Sequence, residues 1–153
     1  MGQSLQLHRI IDQTNPCFTS LSADTGLDQV VTALARYGKT AVVILENGKP
    51  AGILTRTDIV RYLDQDGCGV GQKKSLSQVM TRELVLSDPQ TPFDLALQRM
   101  AKFNIEHLLV IQEGRLVTVI HEKELLRFRL KTLQADIDEM QEYIENLHNA
   151  TQD

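Results

Sequence analysis

Residues 41–58 read AVVILENGKPAGILTRTD, and residues 107–124, HLLVIQEGRLVTVIHEKE, repeat their plan 66 positions later. Ala41–Leu45 is a continuous aliphatic run, the pattern expected of a strand covered on both faces. Glu46-Asn47-Gly48-Lys49 then reads as a hairpin turn, because Asn-Gly supplies residues that tolerate positive φ. Ala51–Leu54 returns as a strand, and Asp58–Leu63 closes the unit as a short helix. Upstream, Thr19–Leu21 reads as a short strand, and Leu27–Tyr37 carries apolar residues at 27, 30, 31 and 34, a helical spacing. Each copy is therefore β-α-β-β-α, the second with its turn at Gln112-Glu113-Gly114-Arg115.

The repeat extends in both directions from these stretches: Phe18–Leu63 aligns with Leu84–Arg129 without a gap. Thr25 meets Thr91, Asp28 meets Asp94, Gly48 meets Gly114 and Arg61 meets Arg127, while Leu34 meets Met100 and Tyr37 meets Phe103. A unit of about 60 residues hides only about 60% of its unfolded surface and is marginal alone. Two such units complete each other by pairing their sheets, which predicts a mixed α/β (α+β) body of pseudo-two-fold symmetry with a cleft on each side of the axis. The expected division is a first unit at 1–66, a glycine-rich linker at 67–75, a second unit at 76–129 and a long C-terminal helix at 130–153. Gly67-Cys68-Gly69-Val70-Gly71 has the look of a phosphate loop, but it follows a helix, and Gln72 stands where a Walker lysine belongs, which leaves the linker reading in front.

Composition narrows the function. With 42% hydrophobic and 24% charged residues the chain is globular, and with 5% aromatics and no Trp its core is aliphatic. No apolar run approaches the roughly 18 residues of a membrane span, and the N-terminus lacks the apolar stretch of a signal peptide. Cys17 and Cys68 make neither a disulfide framework nor a metal spacing, which points to the cytoplasm. The first 133 residues hold 16 basic against 14 acidic side chains, too even a balance for a nucleic-acid partner, whereas residues 134–153 hold six acids and no Lys or Arg. No arrangement of nucleophile, base or zinc ligands emerges, so the chain does not read as an enzyme, and no metal or resident cofactor is expected.

The combined pattern resembles a tandem CBS (cystathionine β-synthase) domain pair, or Bateman module. The resemblance rests on Gly52-Ile53-Leu54-Thr55-Arg56-Thr57-Asp58, on Ser77-Gln78-Val79-Met80-Thr81, and on Ile105-Glu106-His107-Leu108-Leu109-Val110, where Leu109 replaces the family's proline. It implies an adenine nucleotide, AMP, ADP or ATP, as regulatory ligand. Asp58, acceptor-only when ionised, can take both ribose hydroxyls. Thr55 can offer a hydroxyl, Gly52 can let a ligand approach the strand, and Arg56 can meet a phosphate. By resemblance the base lies near Phe18, Ala41 and Val42, and His107 faces the phosphates, in which case binding strengthens as pH falls through its pKa. Thr57 and Asp58 also suit plain helix capping, and a ligand-free dimerisation scaffold stands as the alternative. The second half-site departs from the pattern, with Thr118, His121 and Glu124 at the places of Gly52, Thr55 and Asp58.

From Glu122 onward Leu126, Leu130, Leu133, Ile137, Met140, Ile144 and Leu147 recur at spacings of 4 and 3, a heptad seam that predicts a parallel homodimeric coiled coil. A helix folded back on its own domain is the other reading. Tyr143–Asp153 resembles the connector that enters GGDEF diguanylate cyclase domains, which implies a bacterial signalling protein whose output domain follows; a histidine kinase or other dimeric effector fits the same helix.

Overall fold

The aliphatic runs become the middle strands of two three-stranded sheets. The computed structural model describes residues 5–13, 18–36, 39–66 and 75–151. In chain order the elements are α1 (His8–Gln13), β1 (Ser20–Ser22), α2 (Leu27–Arg36), β2 (Ala41–Glu46), β3 (Lys49–Thr55), α3 (Arg56–Asp66), α4 (Leu76–Val79), β4 (Leu86–Ser87), α5 (Phe93–Phe103), β5 (His107–Gln112), β6 (Arg115–His121) and α6 (Glu122–Ala150). The sheets run β1-β2-β3 and β4-β5-β6, parallel at the first pairing and antiparallel at the second. The 66-residue period holds at the start of α2 and α5, β2 and β5, β3 and β6, and α3 and α6. Even the register irregularity repeats, between Ile44 and Leu45 and again between Val110 and Ile111.

Both hairpins turn through left-handed backbone, at Asn47 (φ 51°) and Gly48 (φ 76°) and at Glu113 (φ 50°) and Gly114 (φ 75°). Two primed-turn residues match the right-handed twist of the strands they join. The first strand lies one residue later than expected, at Ser20–Ser22. The glycine run at 67–71 and Tyr37 lie outside the described residues, as do both cysteines.

Alternation along the strands sorts the core into three layers. Val42, Ile44 and Leu54 face α2, while Leu108, Val110 and Ile120 face α5 and the start of α6. Between them, Val43, Ile53 and Leu109 face the opposite sheet and form the seam that joins the halves. Core membership does not follow chain order. Leu7 and Ile10, on and just before α1, pack with Phe93, Met100 and Phe128 in the second half. Leu76, which opens α4, and Met80, just after it, pack with Val30, Leu34 and Leu54 in the first. Backbone bridges Gln6–Pro92 and Ile53–Thr81 fix the two exchanged segments.

α6 starts on the second core through Leu125 and Phe128, both buried. Past Thr132 its side chains are exposed, and Leu126, Leu130, Leu133, Ile137, Met140, Ile144 and Leu147 present 42–68% of their surface to solvent. A helix folded back on the body is thereby overturned: the rod projects.

Candidate functional site

Where each sheet ends and the next helix starts, the chain opens a groove against the other half. The first groove, of about 410 Å³, takes Thr55 and Asp58 from the β3–α3 junction of the first half. It takes Ile105, Glu106 and His107 from the entry to β5 of the second half. The second groove, of about 320 Å³, takes His121 and Glu124 from the β6–α6 junction, and Lys39, Thr40 and Ala41 from the entry to β2. Shifting the second set by 66 positions reproduces the first, so the grooves are pseudo-symmetry mates, each crossing between halves.

At the first junction the Asp58 Oδ2 accepts from the Thr55 N–H (2.9 Å) and from its hydroxyl (2.8 Å), while the Asp58 N–H donates to Thr55 Oγ1 (3.2 Å). This is a reciprocal helix cap. Among the described residues Oδ1 has one ionic neighbour, Arg61 Nη1 at 3.5 Å, on a side chain 62% exposed. Asp58 thus offers a diol chiefly one oxygen and not the pair expected. At the second junction Glu124 Oε2 accepts from the His121 N–H (3.0 Å) and His121 Nδ1 accepts from the Lys123 N–H (3.0 Å). The imidazole has replaced the threonine hydroxyl as cap.

His107 lines both grooves. Its Nε2 hydrogen-bonds Thr40 Oγ1 (2.7 Å), and its ring meets His121 edge-on with centroids 4.8 Å apart. Burial lowers its pKa from 6.5 to about 4, with His121 acting in the same direction and Glu106 and Asp58 opposing. The ring is therefore uncharged at neutral pH and gives a phosphate no countercharge there, which places any strengthening of binding by its protonation near pH 4. A depressed folded-state pKa means that the unfolded chain takes up a proton that the native state refuses. Stability present above pH 6.5 is then lost as pH falls toward 4. Solvent entering from two grooves reduces the slope below the ceiling of about 1.4 kcal/mol per pH unit. Thermal unfolding followed from pH 7 to pH 4 is expected to show a falling Tm, and a shallower fall in His107→Asn.

The remaining sequence candidates separate. Phe18 and Ala41 line the second groove with His121 and Glu124, not the first with Asp58. Val42 is fully buried in the first core and faces α2. Arg56 is exposed and lines neither groove. Gly52 is buried against Met80, whose Cγ lies 2.7 Å from where a Cβ would stand, so the space it leaves is filled by protein and not by a ligand. Arg61 and Arg127 were legible as a matched pair three residues after each carboxylate, yet they were not singled out. Glu83, Glu106, Lys39 and Lys123 carried no signal in one copy alone. Among the described residues no group of three or more potential ligands is arranged to hold a metal, and no helix is long and apolar enough to cross a membrane.

A family model described as CBS domain matches residues 13–65 and 76–131. The chain is 32% identical over 82 residues to L-aspartate semialdehyde sulfurtransferase of Methanocaldococcus jannaschii, an alignment covering 54% of this chain and only 15% of that protein. It is 26% identical over 101 residues to the CBS domain-containing protein YhcV of Bacillus subtilis, covering 66% of this chain and 71% of YhcV. Among solved structures, the CBS domain pair of protein MJ0100 in complex with 5′-methylthioadenosine and S-adenosyl-L-methionine is similar at a TM-score of 0.73 and 23% identity, over 85% of this chain and 99% of that one.

Proposed function

Because the chain belongs to the CBS-domain family and carries two copies of the domain, we propose that it is a regulatory module that binds an adenosine-containing ligand between its halves. The occupied state passes to a parallel dimeric coiled coil formed by α6. The observation that carries this reading is the open groove beside Asp58, whose Oδ1 pairs, among the described residues, with the exposed guanidinium of Arg61. A ribose hydroxyl can replace Arg61 there without disturbing the cap held by Oδ2. The complex described for the MJ0100 domain pair supports the choice of an adenosine compound. α6 begins one residue after the cap at His121, so a ligand that shifts the second half-site moves the base of a rod 29 residues long. The likeness of Tyr143–Asp153 to diguanylate cyclase connectors supports an output domain of that kind on the far end, and the cysteine usage supports a cytoplasmic setting.

Calorimetric titration with adenosine, AMP, ADP, ATP and GTP tests the ligand. Adenosine compounds are expected to bind, with the affinity for adenosine itself falling tenfold or more in Asp58→Ala, the loss of a hydrogen bond to a charged acceptor being worth about 1.5–3 kcal/mol. Undiminished adenosine binding in that variant removes Asp58 from the site. The use of both carboxylates as helix caps favours a second reading, a ligand-free dimerisation scaffold. It predicts no heat with any of these compounds beside an intact dimer.

A further inference from the structure

We propose that the two grooves select ligands of opposite charge, the Asp58 groove taking an uncharged or cationic nucleoside and the His121 groove a phosphate-bearing one; this rests on the adenosine-binding reading and deepens it. The repeat makes the comparison direct, since each position in one groove has its mate 66 residues away in the other.

Around the first groove, Glu83 and Glu106 join Asp58, and among the described lining residues Arg61 is the one cation opposing them. A phosphate placed there meets the buried Asp58 carboxylate, with the exposed Glu83 and Glu106 adding like charge along the lining. Apolar side chains, Ile53, Leu84 and Val85 among them, supply the wall for a neutral base. A sulfonium or amine suits the carboxylates.

In the second groove the mates of Ile105, Glu106 and Thr57 are Lys39, Thr40 and Lys123. Arg127 repeats Arg61, and among the described lining residues Glu124 is the one carboxylate, with Oε2 already held by the His121 N–H. Three cations therefore converge on a cavity of about 320 Å³ beside the flat ring of Phe18. Guanidinium and ammonium groups recognise phosphate oxygens through charge-assisted hydrogen bonds, and Arg does so bidentately. Lys123 and Arg127 are exposed, so their replacement leaves the core untouched.

The test titrates adenosine and AMP separately into the wild-type chain, Asp58→Ala, and the double variant Lys123→Glu/Arg127→Glu. AMP affinity is expected to fall at least tenfold in the double variant, to weaken with added salt in the wild type, and to survive Asp58→Ala. Adenosine affinity is expected to show the reverse dependence. AMP binding unchanged in Lys123→Glu/Arg127→Glu, or adenosine binding without any AMP binding, overturns the charge assignment and leaves the adenosine reading standing. AMP binding that depends on Lys123 and Arg127 with no adenosine binding supports the charge assignment of the second groove and sinks the first-groove reading instead. Absence of binding by both probes overturns both.

Discussion

Truncating Leu7 and Ile10 together to alanine is expected to remove most of the stability of the second half, although both residues precede the first half in the chain. Both are essentially buried, at 0% and 1% exposure, among Phe93, Met100, Leu108 and Phe128. A buried Leu or Ile cut to Ala costs about 2–5 kcal/mol, part transfer and part cavity, and a domain of this size has only about 5–15 kcal/mol in total. Denaturant unfolding read by circular dichroism measures the loss. A double variant within 1 kcal/mol of the wild type would show that α1 is an ornament and not part of that core. Residues beyond the second repeat give the control: Leu147→Ala, at 49% exposure on the projecting rod, is expected to leave the unfolding midpoint of the body unchanged.

The second large effect concerns assembly. Replacing Ile137 and Ile144 with glutamate is expected to convert the proposed α6 dimer into a monomer, halving the mass seen by light scattering. Seven large apolar side chains lie exposed on one stripe, and each Leu or Ile buried against a second copy's helix would be worth about 1.5–3 kcal/mol. Two carboxylates at a positions place four negative charges in the seam of a two-stranded coil, which is costly without partners. The body is expected to fold as before, because Leu125 and Phe128, which anchor the helix, are untouched. The acidic run from 134 onward adds repulsion between parallel strands, so wild-type dimerisation is expected to strengthen with added salt. A mass unaffected by the two glutamates removes this seam from the interface.

The hairpins, the period of 66 and the exposed helical stripe were legible because each is a local pattern: alternation, Asn-Gly, heptad spacing. What escaped was long-range. Phe18 and Ala41 were expected beside Asp58 by resemblance, whereas each groove draws its cap from one half and its strand entry from the other. The alignment held that information, since Phe18 and Leu84 are mates and only one of each pair can face a given cap. Gly52 was misjudged for a similar reason: Met80, the side chain that fills its space, is 28 residues away and no local rule brings them together. How low His107 titrates was not legible, because burial between two sheets, which lowers its pKa, is not a property of the sequence around it.

The interchange of α1 and α4 has a consequence for how the protein is made. As synthesis proceeds from the N-terminus, the earlier half lacks Leu76 and Met80 until they leave the ribosome, so its apolar face stays wet while the linker emerges. α1 is made long before its seat, which is built by Phe93, Met100 and Phe128. Neither half can finish without a piece of the other, and the nascent chain is committed to closing both in nearly one event.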